Sequence, residues 1–247
     1  NTFTLWQIMS PPSLNFYFIV FFIVFLSGCS QKFQGATDSV KAAIEFNKGA
    51  TITPEYIASI PYANALVTVN DGKQILLVLA YIDINPINNA VQLTWVSNDK
   101  SAIVTENGRI IRTTGFYHNN LEALNSQKNQ LSPPGSTKNW HAVYDWSPGY
   151  RYNFSANVSA DSLSTETLHT DLWTQPAEHI QELIDFRSLN SQFINHYWVV
   201  PATTSTKAYV IKSIQYLGPQ MDKVEMLMMR PYIEQTSNTQ HAKDSES

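Results

Sequence analysis

Asn70-Asp71-Gly72-Lys73 stands between two apolar runs, residues 65–69 and 74–81, and this arrangement restricts the fold more than any other. An Asp-Gly pair supplies the positive φ angles of a tight turn, so the two runs are the arms of a β-hairpin. The pattern recurs: residues 102–105 and 109–113 flank Glu106-Asn107-Gly108. Between the hairpins, Val91, Leu93, Trp95 and Ser97 alternate with Gln92, Thr94 and Val96, the two-residue period of a half-buried strand. Residues 75–80 are unbroken apolar, which predicts a strand buried on both faces. Residues 83–89 (DINPINN) read as a turn-rich loop.

Further along, residues 140–146, 150–158, 165–173, 178–186, 197–200, 207–216 and 224–230 read as strands divided by turn residues. Segment 178–186 also fits a helix. Residues 119–125 read as a helical turn, and 127–139 (QKNQLSPPGSTKN) as a long loop or the seam between two halves. Two short helices precede the strands. One spans 36–47, capped by Thr37 or Asp38 and ended by Gly49. The other starts at Thr53-Pro54-Glu55, with Thr as cap and Pro at the first helical position, and stops before Pro61. Strands about 8–12 residues apart with few helices predict an all-β fold with a few short helices, an antiparallel meander rather than a βαβ sheet. Composition agrees, since 12% of residues are aromatic and 15% are charged.

The N-terminus carries an address. An apolar run over residues 16–26 ends in Leu26-Ser27-Gly28-Cys29, and Cys29 is the one cysteine of the chain. A short apolar core closed by small residues reads as a secretory signal. The run is about half the roughly 20 residues that a membrane-spanning helix needs, and only Lys32 is near enough to stop transfer. Leu-Ser-Gly-Cys resembles the bacterial lipobox, in which the thiol is acylated and becomes residue one. No Lys or Arg precedes Lys32, and Met9 is a candidate start. The expected organisation is a signal over 1–28, a lipid-anchored tether over 29–35, a single β-rich domain over 36–232 and a disordered polar tail over 233–247. In the general bacterial sorting pattern, Ser after the cysteine, here Ser30, lets a lipoprotein pass to the outer membrane. The expected location is therefore the periplasmic face of the outer membrane, held by the anchor.

From Ser30 on there is no thiol, which excludes disulfides, cysteine-bound metals and cysteine nucleophiles there. The chain is long enough to bury a full core without them. A net charge of −4 without a basic stripe argues against nucleic acid as a partner. His118, His141, His169, His179, His196 and His241 show no i,i+4 or His-x-His spacing, so each reads as an isolated surface or packed histidine, and no metal or other cofactor is expected. Asp161 and Glu166 read as turn residues with no apolar pocket to raise a pKa. No nucleophile elbow or phosphate loop is present, and nothing points to catalysis. Trp95, Trp140, Trp146 and Trp198 are candidates for stacking on sugar rings, although packing a β core explains abundant aromatics more simply.

Two blocks resemble a known family: residues 60–116, with IPYANALVTVNDGKQILLVLAY and LTWVSNDKSAIVTENGRIIRTTGF, and residues 195–232, NHYWVVPATTSTKAYVIKSIQYLGPQMDKVEMLMMRPY. Together with the lipobox they resemble the YjbF/GfcB lipoproteins of group 4 capsule and exopolysaccharide operons. The sequence departs from the pattern at Arg230, where a Lys is expected, and at 201–206, where a turn glycine is missing. The resemblance implies a large antiparallel sheet bent into a half-barrel or sandwich. It also implies a non-enzymatic accessory lipoprotein working with periplasmic and outer-membrane barrel partners, and with polysaccharide, in export or assembly. Two other readings stand beside it. One is a carrier whose residues 75–80 and 226–229 line an apolar groove for a lipid or lipid-linked glycan. The other is a polysaccharide-modifying enzyme.

Overall fold

The computed structural model describes residues 52–127, 131–149 and 151–235. The 36–47 helix, the signal, Cys29, the tether and the end of the polar tail lie outside the described residues. Helix α1 (Pro54–Ser59) is followed by twelve strands. These are β1 (Asn64–Val69), β2 (Ile75–Ile84), β3 (Val91–Val96), β4 (Ala102–Glu106), β5 (Arg109–Thr114) and β6 (Asn120–Ser126). There follow β7 (Asn139–Ser147), β8 (Arg151–His169), β9 (Thr174–Phe186), β10 (Ser191–Val200), β11 (Tyr209–Tyr216) and β12 (Lys223–Arg230).

All twelve form one antiparallel sheet in the order β5-β4-β3-β2-β1-β12-β11-β10-β9-β8-β7-β6. It is a meander whose first and last strands also pair, Val67 opposite Met226. The two edges, β5 and β6, come side by side. Side chains bridge them: the Leu121 amide donates to Thr113 Oγ1 at 2.9 Å, and Arg112 Nε to the Glu122 carbonyl at 3.2 Å. The sheet is thus nearly closed into a barrel, which removes most of its edge.

Alternation explains what fills it. Ala65, Val67, Leu77, Trp95, Ile103, Ile184 and Met226 point inward and join one large core with Tyr144, Trp146 and Phe186. The neighbours Leu66, Leu76 and Val78 point outward, where Ile57 and Ile60 of the α1 region cover them. That is why residues 75–80 are continuously apolar. Thr53 caps α1 as expected, its Oγ1 accepting from the Tyr56 amide at 3.2 Å. Asn107 and Gly108 adopt φ of 52° and 77° in the β4–β5 turn. The β2–β3 loop is tied down by buried Glu106, whose carboxylate accepts from the amides of Asn85 (3.0 Å), Asn88 (2.8 Å) and Gln92 (2.8 Å).

Three expectations are corrected and two open alternatives are settled. Residues 119–125 are strand β6, not a helical turn: a bulge between Leu121 and Ala123 puts Leu121 and Leu124 on one face at a helix-like spacing of three. Segments 150–158 and 165–173 are not separate strands, because β8 runs unbroken from Arg151 to His169, with a bulge between Ser162 and Ser164. Asp161 and Glu166 therefore lie in a strand rather than in turns. Segment 178–186 is a strand as read, part of β9, and the helical alternative falls away. The 127–139 stretch is not a seam, since one sheet continues on both sides of it. Leu131 is buried in the core, and Asn107 Nδ2 and Arg109 Nε donate to the carbonyls of Leu131 (2.7 Å) and Ser132 (3.0 Å).

Candidate functional site

Inside the sheet, one polar network is built on a buried ion pair. Arg109 on β5 and Glu182 on β9 form a two-pronged ion pair, with Arg109 Nη2 2.8 Å from Glu182 Oε1, and both side chains are at most 2% exposed. The guanidinium lies 4.9 Å from the Trp140 ring and 5.3 Å from that of Tyr197. Tyr197 OH donates to Gln215 Oε1 at 3.2 Å, and Gln215 also accepts from the Ile110 amide. Burial disfavours the charge of Arg109, but the Glu182 carboxylate outweighs it and holds the pKa above its ordinary value. Burial likewise raises Tyr144 and Tyr197, so these phenols stay neutral. This network pins strands together.

The tryptophans fall mostly inside as well. Trp95 is fully buried, its indole donating to Thr105 Oγ1 at 3.0 Å. Trp146 is buried against Tyr144, Phe154 and Phe186, its indole donating to the Leu217 carbonyl at 2.7 Å. Neither offers a face to a sugar, which corrects their assignment as stacking candidates: strand alternation turns both inward. Trp140 is half-buried over Arg109. Trp198 lies on the outer face, but its ring is covered by His179 on one contact (4.4 Å, nearly parallel) and by Lys212 Nζ on another (4.8 Å). The carrier assignment is corrected too. Residues 75–80 and 226–229 pack the two cores, one inside the sheet and one beneath α1, and of them only Met228 borders the small cavity beside β3 and β4. The cavity bounded by β3, β4, the 131–138 loop and Val210 holds about 80 Å³, well below the roughly 300 Å³ at which ligand sites begin.

The chemistry the sequence did not disclose lies on the outer face of β8–β11. Turn 187–190, closed by Asn190 at φ 48°, sets the β9–β10 register so that His179 faces Trp198 and Gln181 faces His196. Glu166 Oε1 lies 2.8 Å from His179 Nδ1, and His179 Nε2 lies 3.0 Å from His196 Nδ1. Trp198 Nε1 donates to Glu166 Oε2 at 2.8 Å. The indole and then His179 hold the Glu166 carboxyl below its ordinary range. Desolvation, followed by the proximity of His179, lowers His196. When His179 gives its Nδ1–H to the carboxylate, its Nε2 can accept from His196 Nδ1–H. His196 Nε2 is then left as an acceptor. These histidines, isolated in the sequence, form a directed chain. The signal that reveals it is register: 179 and 198 are equidistant from the turn at 188–189.

Two hollows lie along the same face. One, of about 690 Å³, is lined by Gln192, Ile194, His196, Ile214, Tyr216 and Gln220 among others. The other, of about 360 Å³, is lined by Asn139, His141, Asn157, Ser159, Asp185 and Arg187 among others, and the two share Leu183. No cluster of three or more His, Cys, Asp or Glu suited to a metal ion occurs among the described residues.

Residues 37–229 match the family model for the group 4 capsule polysaccharide lipoprotein gfcB, YjbF. This chain belongs to the YjbF family. It is 28% identical to the uncharacterized lipoprotein GfcB of Escherichia coli (strain K12), over 85% of this chain and 95% of that protein. It is 21% identical to the uncharacterized lipoprotein YjbF of the same organism, over 86% and 96%. Among solved structures, the hypothetical lipoprotein YmcC from Escherichia coli (K12) matches with a TM-score of 0.61 at 27% identity, over 83% of this chain and 99% of that one. The YjbF-family membership places the sheet and its outer hollows in a capsule-related lipoprotein.

Proposed function

We propose that this protein is a lipid-anchored accessory component of capsule or exopolysaccharide export or assembly, acting without catalysis at the periplasmic face of the outer membrane. The observation that carries the reading is the distribution of space: the cavity that Trp95, Thr105 and Met228 border holds only about 80 Å³, whereas larger hollows open on the outer face. Such a domain works by surface contact with polymer or with barrel and periplasmic partners, and not by enclosing cargo. Leu26-Ser27-Gly28-Cys29 supports acylation at Cys29, and Ser30 supports passage to the outer membrane. Stable attachment follows from more than one acyl chain.

Deleting the gene is expected to reduce surface polysaccharide while precursor synthesis continues. Replacing Cys29→Ser is expected to abolish labelling by radiolabelled palmitate and to fail to complement the deletion. Normal surface polymer in amount and position, altered only in a chemical group that the purified protein changes by itself, would overturn the reading in favour of an enzyme.

A further inference from the structure

We propose that the two hollows on the outer face of β7–β11 form one binding groove for a polysaccharide chain, with His196 Nε2 as its fixed hydrogen-bond acceptor. This rests on the capsule-linked reading above and names the ligand of its exposed face.

The lining fits a carbohydrate on both counts that matter. A pyranose ring has an apolar C–H face and an equatorial belt of hydroxyls. Ile194 and Tyr216 are each 37% exposed, and half-buried Leu183 and Ile214 lie beside them, so apolar surface faces water on a strand face that would otherwise be polar. The Tyr216 ring is braced by Phe193 at 5.7 Å, a preformed stacking platform. Around this floor stand the amides of Gln192, Asn139 and Asn157, the Ser159 hydroxyl and the Asp185 carboxylate. Asp185 pairs with Arg187 at 3.4 Å, so the groove carries little net charge. With strands about 4.8 Å apart, β7 to β11 spans about 19 Å, room for several linked sugar rings.

His196 gives the groove direction. Its Nδ1 is committed to His179, which is itself oriented by Glu166. Its Nε2, on the opposite side of the ring, has no partner among the described residues, and the residue lines the larger hollow. A hydroxyl donor satisfies that atom. An acyl chain would not, and it would also cover the amides without replacing their hydrogen bonds.

The test uses full-length acylated protein in detergent micelles and the surface polysaccharide purified from the same bacterium. Affinity electrophoresis or calorimetry is expected to show binding. Tyr216→Ala and His196→Ala should each weaken it about tenfold or more, as loss of one stacking or hydrogen-bond contact does. Tyr117→Ala, at a 94% exposed tyrosine outside the groove, should leave it unchanged. Circular dichroism checks that each variant is folded. If His196→Ala unfolds, Tyr216→Ala carries the comparison. No binding of the polymer, equal loss in Tyr117→Ala, or wild-type affinity in Tyr216→Ala would overturn the groove. So would cross-linking that seats a protein partner, and no glycan, over Tyr216. The export reading fails separately, if gene deletion leaves surface polymer unchanged. If deletion removes polymer but Tyr216→Ala and His196→Ala both restore it fully, the groove alone is refuted.

Discussion

Arg109 and Glu182 meet inside the sheet, 73 residues apart in sequence, through two parallel charge-assisted hydrogen bonds shut off from solvent. Each charge is tolerable only because the other is there. Glu182→Ala leaves a buried guanidinium without its partner and is expected to cost about 3–5 kcal/mol. Replacing both, Arg109→Met with Glu182→Leu, should recover most of that loss. Denaturant unfolding of the two variants checks this. A double variant no more stable than Glu182→Ala would show that the pair does more than cancel its own desolvation.

Gly108 is constrained twice. Its φ is positive, and a Cβ there would collide with a Val210 methyl on β11. Gly108→Ala is expected to destabilise by about 2–4 kcal/mol, combining left-handed strain with overpacking. Adding Val210→Ala relieves the collision but not the strain, so the double variant should regain part of the loss. Thermal unfolding of both would reveal a fault in this account if Gly108→Ala melted at the wild-type temperature.

How far the sheet could be read beforehand depends on whether the period survived. Val91 to Ser97 keeps strict alternation, and Trp95 lies inward where that alternation puts it. Asn107-Gly108 announces its own turn. The failures sit at bulges. An extra residue near Ala123 lets Leu121 and Leu124 imitate a helix, and the bulge near Ser162 disguised one long strand as two. The outer site was hidden for a different reason. Glu166, His179 and His196 meet through the registers of two hairpins, and the second is set by Asn190, a left-handed residue that only the folded backbone displays.

The histidine chain predicts a pH dependence. His196 resists protonation when folded, so as pH falls through its ordinary value of 6.5 the unfolded chain takes up a proton that the folded one does not. Stability declines until the lowered folded value is passed. Glu166 acts in the same direction further down: its contribution is complete above its ordinary value of 4.5 and is lost as pH falls through its depressed folded value. The melting temperature should therefore start to fall as pH drops through about 6.5, and His196→Gln should flatten that upper part of the profile. Superimposable profiles for variant and wild type would disprove the assignment to His196.

Glu106 gives a local prediction. Its buried carboxylate takes three amide hydrogen bonds, so Glu106→Ala strands three donors and should cost about 1–3 kcal/mol. Hydrogen exchange ought to register the loss first at the Ile87 and Ala90 amides, which are held by the Asn85 and Asn88 side chains. Unaltered protection at those amides would mean that the loop is secured otherwise.

Pairing the first strand with the last has a consequence for biogenesis. Ladder contacts between β1 and β12 join residues that are synthesised at opposite ends of the domain, so the closing interface cannot form until Arg230 has emerged. A chain threaded across a membrane from its N-terminus would wait with β1 and β11 as raw edges, each able to recruit a strand from another molecule. Until that last strand arrives, the protein depends on whatever shields those edges in the compartment where it folds.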